Sequence, residues 1–193
     1  LENTEPVAGV PDTVDRYEVS AKVYEKIAYR DSTEDVVAVF YRPDGSFASR
    51  SKVLEAASRI VFVEGIEKPG NLGAIMRTAL AAGAGAIVLA DPALDPFGPN
   101  VVRNATGALF ELQIFMGSSD QVQQWVMESG FTSYITHMHE NATAMYDVKW
   151  AKKSAIIVGE ESKGLSEDWL NKGFENIIIP MAGRAVDSLN VSV

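Results

Sequence analysis

From residue 59 onward, short apolar segments alternate with stretches of helical periodicity, and this alternation limits the fold more than any other feature. We predict strands at residues 59–64, 86–90, 112–115, 133–137, 155–158 and 175–179, and helices at residues 71–83, 99–110, 120–129 and 166–172. Short buried strands interleaved with helices are typical of an α/β fold, a mostly parallel sheet with helices on both faces. Ligands of such sheets usually sit at the carboxyl ends of the strands.

The first part of the chain does not follow this alternation. Residues 1–15 are rich in Pro, Gly, Asp and Glu and predict a linker, whereas residues 17–29 predict an amphipathic helix with Ser20 as a candidate cap. Residues 35–42 (DVVAVFYR) predict a buried strand. We therefore expect two regions, residues 1–58 and residues 59–193. The start at Leu1 and the stop within an apolar run lead us to expect a piece of a longer protein.

Composition removes several classes of function. The chain has no cysteine, which excludes a disulfide framework, a thiolate zinc site and a cysteine nucleophile. It has neither a signal-peptide pattern nor an apolar run of membrane-spanning length, so we expect a cytoplasmic protein. The formal net charge of −9 argues against a surface that is basic overall, the usual sign of nucleic-acid binding. A local basic patch remains compatible with that charge.

Residues 64–73 (EGIEKPGNLG) join a predicted strand to a predicted helix. We expect Asn71 to cap the helix and Arg77 to lie on its second turn, near the electropositive N-terminus, where a guanidinium can bind phosphate. The glycine pattern matches neither a dinucleotide fingerprint nor a P-loop. The alternative is a plain turn and cap with a solvated arginine.

Two later segments also carry polar groups at strand ends. Residues 158–166 (VGEESKGLS) can close over a ligand, with Glu161 holding a ribose hydroxyl or orienting an arginine. The alternative there is a polar loop with Ser166 capping the next helix. In residues 177–193 (IIIPMAGRAVDSLNVSV), Ser188 offers a hydroxyl and Asn190 an amide for ligand binding. The alternative is simple capping by Ser188.

The two histidines of the chain, His137 and His139, are close enough in sequence to share one face of a strand. They can form a metal pair, but no third ligand accompanies them. We expect no metal site.

Taken in order, these segments resemble the SpoU (TrmH-like) family of the SPOUT methyltransferases. The first motif is residues 71–79 (NLGAIMRTA), the second is residues 158–166, and the third joins residues 179–181 (IPM) to residues 188–193 (SLNVSV). Residues 101–110 (VVRNATGALF) resemble a further segment of the family. The resemblance covers about residues 60–193, and the ordered set of motifs is highly specific.

The resemblance implies S-adenosylmethionine-dependent methylation of a ribose 2′-hydroxyl in RNA, with ribosomal RNA as first choice and transfer RNA as second. It implies an α/β sheet with a trefoil knot near the C-terminus, and a homodimer with sites at its interface. Residues 17–42 look like the tail of a small RNA-binding domain, so residues 1–58 are interpreted as linker and tail, and residues 59–193 as the catalytic domain. The helix that should follow Val193 is absent from this chain.

Residue roles follow from the same resemblance. Arg77 is the expected central catalytic residue, helped by Asn71, Glu161 and Asn190. The expected cofactor-binding residues are Thr136, Gly159, Ile179, Met181, Ser188 and Leu189. The expected RNA-binding residues are Arg77, Arg103, Lys163 and Arg184. This chain departs from the family at Lys68, where an acidic residue is frequent, and at Ala105, where a serine is common.

Two other classes remain open. One is a catalytically inactive RNA-binding or assembly protein on the same fold, which has no need of Asn71, Arg77, Glu161, Ser188 and Asn190 together. The other is a nucleotide-binding enzyme such as a dehydrogenase. Asp91 follows a strand as that class requires, but the glycine pattern differs.

Overall fold

The computed structural model describes residues 9–11, 13–29, 36–47, 52–138, 141–170, 172–182 and 188–193. The chain divides into two compact units, Leu1–Arg42 and Pro43–Val193. Among the described residues, none of the helices combines the length and the apolar character needed to cross a bilayer.

In the smaller unit, helix α1 (Ala21–Ile27) is shorter than the helix predicted at residues 17–29 and buries none of its residues. Ser20 occupies its N-cap position but makes no side-chain cap hydrogen bond. The strand predicted at residues 35–42 is wrong for its described part, residues 36–42, which contains no strand. Val39 is 94% exposed and Tyr41 is fully exposed. An apolar run becomes a strand only when another strand supplies hydrogen bonds, and no strand of the described residues pairs with residues 36–42.

The larger unit alternates strands and helices. Its helices are α2 (Lys52–Ala56), α3 (Pro69–Ala81), α4 (Pro99–Ala105) and α5 (Ser119–Glu128). Its strands are β1 (Arg59–Glu64), β2 (Ala86–Ala90), β3 (Gln113–Gly117), β4 (Thr132–Ile135), β5 (Thr143–Ala144), β6 (Ser154–Val158) and β7 (Glu175–Ile178).

All seven strands form one sheet in the order β3-β2-β1-β6-β4-β7-β5, and every pairing is parallel. The predicted parallel α/β sheet is therefore confirmed. β1 lies between β2 and β6, with Ile60 opposite both Ala86 and Ala155. The short strand β5 was not predicted, because its two residues carry no periodic signal.

Two clusters of buried side chains cover opposite faces of this sheet, because successive strand residues point to opposite sides. One cluster contains Ile60, Phe62 and Val88 with residues of α5 and the fully buried Trp169. The other contains Val63 with residues of α3 and α4. The sheet is thus covered on both faces, as its apolar strands require.

Two predicted helices are interrupted. The helix predicted at residues 99–110 ends at Ala105, because Thr106 and Gly107 both have positive φ, and a 3-10 turn at Ala108–Phe110 follows. The helix predicted at residues 166–172 is a 3-10 turn at Glu167–Trp169 in its described part, residues 166–170 and 172.

Candidate functional site

The parallel strands bring the ends of β1, β6, β4 and β7 to one edge of the sheet. Val63 pairs with Val158, Ile135 pairs with Ile157, and Ile135 also pairs with Asn176. The loops that leave these strands carry the sequence motifs. Residues far apart in the chain therefore meet at this edge.

Helix α3 begins earlier than predicted. Lys68 occupies the N-cap position and Pro69 the first helical position, where the fixed φ of proline suits a helix start. Asn71 therefore lies inside the first turn, and the prediction that it caps the helix is wrong. Its side chain is free for another contact, and its Nδ2 donates a hydrogen bond to Glu161 Oε1 at 2.5 Å.

The Asn71–Glu161 hydrogen bond joins the first motif to the second across 90 positions of sequence. Both residues are half-buried at the sheet edge. A charge-assisted bond in such a place fixes both side chains. The structure thus brings together two of the four predicted catalytic residues.

We expect alanine substitutions of Asn71 and Glu161 to be strongly non-additive. Either single change removes the same hydrogen bond, which is worth about 1.5–3 kcal/mol when one partner is charged and shielded from water. Urea unfolding of both single variants and of the double variant measures the coupling free energy. Additive losses would show that the bond contributes nothing to the fold.

Arg77 is exposed and lies one turn further along α3 than predicted, on its third turn, because the helix starts at Pro69. Its Nη1 donates to the backbone carbonyl of Asn104 on α4. The two helices approach closely at Gly73, where a Cβ would stand 2.5 Å from the Asn104 Cβ. Asn104 therefore holds Arg77 in place, a role that sequence reasoning missed. The only signal was its position within the resembling segment of residues 101–110.

The loop after β6 is compact. The amide of Glu160 donates to the carbonyl of Gly164 at 3.0 Å, and the amide of Gly164 donates back at 2.8 Å. Gly159 is buried against this turn, and a Cβ on it would overlap the backbone of Gly164 and Leu165. Only glycine fits there, because the turn that follows packs directly on its Cα at the end of β6.

Within this loop the carboxylate of Glu160 accepts hydrogen bonds from the hydroxyl of Ser162 and from Lys163 Nζ, the latter at 3.3 Å. The Ser162 hydroxyl, followed by Lys163, holds the pKa of Glu160 below its ordinary value. The Lys163 side chain remains 81% exposed, so its ammonium is accessible at the surface.

We expect Ser162→Ala to raise the pKa of Glu160 toward its ordinary value, because the Ser162 hydroxyl, which contributes most to the lowering, is removed. A lowered carboxyl pKa stabilises the fold above the ordinary carboxyl range, and that contribution is lost as the pH falls through the lowered value. Carboxyl-carbon chemical shifts measured against pH test this. An unchanged pKa in the variant would assign the lowering to Lys163 instead.

At the end of β4, Thr136 Oγ1 donates to the Ile157 carbonyl at 3.1 Å and so ties β4 to β6. The next amide, of His137, donates to Asn176 Oδ1 on β7 at 3.0 Å. His137 Nδ1 and Asn176 Nδ2 are both buried, and neither has a hydrogen-bond partner among the described residues. Buried polar atoms normally have hydrogen-bond partners, so these two atoms are candidates to bind a polar ligand.

His139 lies outside the described residues, so the structure does not address the histidine pair. Within the described ranges, no group of three or more His, Asp or Glu side chains is arranged to hold a metal ion.

The third motif is described at residues 179–182 and 188–193. Ile179 and Met181 follow β7, whereas Ser188 and Leu189 are exposed. Asn190 Oδ1 accepts hydrogen bonds from the Ser192 amide at 3.0 Å and from the Ser192 hydroxyl at 2.6 Å, and no hydrogen bond to Arg77 or Glu161 appears in the described part of the chain.

The far end of this motif is anchored. Val191 packs against the core cluster that contains residues of α3. Of the predicted RNA-binding residues, Arg103 is exposed on α4, and Arg184 lies outside the described residues.

The alternative interpretation of residues 158–166, in which Ser166 caps the next helix, is wrong. Ser166 precedes the Glu167–Trp169 turn but makes no side-chain cap bond. Its amide and hydroxyl both donate to Glu64 instead. Sequence reasoning missed Glu64, since a glutamate at the end of a strand has no distinctive pattern.

The family model described as the SpoU rRNA methylase family matches residues 58–193, which is most of the chain. The chain belongs to this family. The match includes all three motifs and every predicted site residue.

SpoU relatives include enzymes of two RNA classes. The chain is 29% identical over 177 residues to a 23S rRNA (guanosine(2553)-2′-O)-methyltransferase of Bacillus subtilis, covering 92% of this chain and 68% of that protein. It is 35% identical over 136 residues to a tRNA (guanosine(18)-2′-O)-methyltransferase of Thermus thermophilus, covering 69% of this chain and 68% of that one.

The solved structures agree. The AdoMet-bound rRNA methyltransferase from Sinorhizobium meliloti matches with a TM-score of 0.67 and 30% identity, covering 74% of this chain and 56% of that one. The chain thus spans between half and about two thirds of the length of these SpoU proteins.

Proposed function

We propose that this SpoU protein transfers a methyl group from S-adenosylmethionine to a ribose 2′-hydroxyl of RNA. One observation carries the proposal: the Asn71–Glu161 hydrogen bond brings the first and second motifs together at the carboxyl edge of the sheet. Arg77 lies two turns from Asn71 on the same helix. An inactive relative has no need to preserve this assembly.

The described residues fit the cofactor. Gly159 lets the loop after β6 pack closely against the end of that strand, and His137 Nδ1 and Asn176 Nδ2 are buried polar atoms without partners among the described residues. Thr136, Ile179, Met181, Ser188 and Leu189 complete the set of residues that would hold it. When bound, S-adenosylmethionine supplies a methyl group activated by the positive charge on its sulfur.

Arg77 acts by charge and position. A guanidinium stays protonated in proteins, so Arg77 does not remove the hydroxyl proton. It holds the phosphate next to the target ribose and stabilises negative charge that develops on the 2′-oxygen. The Asn104 carbonyl fixes its direction, while Asn71 and Glu161 order the adjoining loop. Asn190 completes the pocket in this proposal.

Ribosomal RNA is the proposed substrate, because the family is described as rRNA methylases and the Bacillus subtilis and Sinorhizobium meliloti relatives act on rRNA by name. Transfer RNA is the second candidate, favoured by the Thermus thermophilus relative. Arg77, Arg103, Lys163 and Arg184 are the proposed RNA contacts. Exposed cations are required because phosphate neutralisation dominates RNA affinity.

Family membership also supports three further proposals about the whole protein. The segment after β7 forms a trefoil knot, two copies form a homodimer with sites at the interface, and the protein works in the cytoplasm. Residues 1–58 are proposed as linker and tail of a small RNA-binding domain, and residues 59–193 as the catalytic domain. Sedimentation at several concentrations tests the dimer.

Calorimetric titration with S-adenosylmethionine and S-adenosylhomocysteine, with NAD as control, tests the cofactor. We expect both to bind at micromolar strength, roughly −8 kcal/mol, and NAD to give no heat. Transfer of a labelled methyl group to ribosomal or transfer RNA then distinguishes the two substrates. A folded protein that binds neither ligand would favour the non-catalytic RNA-binding alternative, and heat from NAD would favour the dehydrogenase.

A further inference from the structure

The last residue of β1, Glu64, has a carboxylate on which three donors converge. Glu64 Oε2 accepts from the Ser166 amide at 3.0 Å. Glu64 Oε1 accepts from the Ser166 hydroxyl at 3.3 Å and from Trp169 Nε1 at 3.0 Å. These donors lie more than a hundred positions away in the sequence. One side chain therefore joins two distant parts of the chain.

Glu64 connects the two segments that carry the first and second motifs. Beyond Glu64, the chain passes through Gly65 into α3, which carries Asn71 and Arg77. Before Ser166, the chain forms the compact loop of residues 159–165. Gly65, with φ of +65°, lies beside this loop, since a Cβ on it would stand 3.4 Å from the Glu160 Cβ. The loop is thus held beside the start of the first motif.

Trp169 makes the connection rigid. Its side chain is fully buried among the residues of one sheet face and contacts the Phe174 ring at a centroid distance of 5.7 Å. A buried indole N–H needs an acceptor, and Glu64 provides it. Packing thus fixes the position of the indole. Because the Glu64 carboxylate bonds both the indole and Ser166, it also fixes the end of the loop at Ser166.

We propose that Glu64 is a positioning residue for methyl transfer: it holds the second-motif loop in its cofactor-binding shape and in register with the first motif. The proposal rests on the proposed function. Glu64 touches neither reacting group here; it acts through Ser166 and Trp169. A carboxylate suits this role because it is an acceptor only, and all three of its partners donate.

Glu64→Gln is the informative variant. Glutamine keeps the size of the side chain but replaces one acceptor oxygen with an NH2 group, which then faces a donor. Trp169→Phe is a second variant, because it removes one donor and keeps an aromatic ring in the core. Glu111→Gln is the matched control, since Glu111 is exposed and lies outside the site.

Hydrogen exchange of the cofactor-free full chain is the first readout. For Glu64→Gln we expect amides of residues 159–166 to exchange at least about tenfold faster, as expected for loss of a charge-assisted hydrogen bond. Amides of α5 should keep their rates in all variants. Trp169→Phe should speed exchange of the same amides by a smaller factor, and Glu111→Gln should leave their exchange rates unchanged.

Affinity for S-adenosylhomocysteine is the second readout, measured well below each melting temperature. We expect it to fall about tenfold in Glu64→Gln, in proportion to the exchange. If Glu64→Gln does not fold, Trp169→Phe and Ser166→Ala carry the test.

A variant that melts earlier but keeps wild-type exchange in residues 159–166 and wild-type affinity would overturn the positioning role and leave Glu64 a stability residue. Failure of the wild-type chain to bind S-adenosylhomocysteine would overturn the proposed function and, with it, this inference. Equal binding by wild type and Glu64→Gln would overturn the inference alone.

Discussion

Replacing Arg77 with alanine should lower the rate of methyl transfer by about a hundredfold to a thousandfold, the usual cost of removing one group that stabilises developing charge. Affinity for S-adenosylmethionine should change by no more than about twofold, because Arg77 is exposed on α3 and its side chain bonds α4 rather than the loop after β6. Single-turnover kinetics and calorimetry measure the two effects separately.

Arg59→Ala is the matched control for this prediction. Arg59 is also exposed and also donates one hydrogen bond to a backbone carbonyl, that of Ala82, at 3.4 Å. It lies at the amino end of β1, away from the motifs. The two alanine variants should therefore lose similar stability, while only Arg77→Ala loses activity. Equal loss of cofactor binding and transfer in Arg77→Ala would remove the role assigned to Arg77.

Replacing Gly159 with alanine should strongly weaken cofactor binding. The added methyl overlaps the backbone of Gly164 and Leu165, so the turn after β6 must move. Overpacking of this kind costs about 1–3 kcal/mol of stability. In the proposed function this loop lies against the cofactor, and its displacement should lose several hydrogen bonds, so affinity should fall at least about a hundredfold. Calorimetry with S-adenosylhomocysteine and thermal unfolding measure both losses.

Gly70→Ala separates this steric effect from the general effect of losing a glycine. Gly70 is exposed in the first turn of α3, and the nearest atom to an added methyl group would be Asn104 Oδ1, at 4.0 Å. Alanine is about 0.5–1 kcal/mol better than glycine within a helix, so stability should hold or rise. Wild-type affinity in Gly159→Ala would show that the loop bends freely and that its shape does not define the cofactor site.

The core of the fold could be predicted because its signals are local. The strands β1, β2 and β6 are short apolar runs, and α3 has helical periodicity and begins at a proline, which suits the first position of a helix. The segment at residues 36–42 has the same apolar character but forms no strand. Pairing depends on partners elsewhere in the chain, which a local pattern does not contain.

The contacts within the site could likewise be predicted only in part. The motifs predicted that Asn71, Arg77 and Glu161 act together, and the structure joins Asn71 to Glu161. It joins Arg77 to Asn104 instead, through a backbone carbonyl that any residue type could supply. Contacts made through backbone atoms leave no residue-type signal in one sequence. Glu64 was missed because its partners lie more than a hundred positions away.

The position of β6 next to β1 also governs how the chain reaches its native state. β2 and β3 follow β1 closely in sequence, but Ala155, the partner of Ile60 on β6, is made much later. During synthesis on the ribosome, the β6 side of β1 therefore has no strand to pair with until residues 154–158 have emerged. Long-range parallel pairing is slow, and an open strand edge recruits other chains. Refolding at high concentration should thus compete with aggregation, and more dilute chains should recover in higher yield.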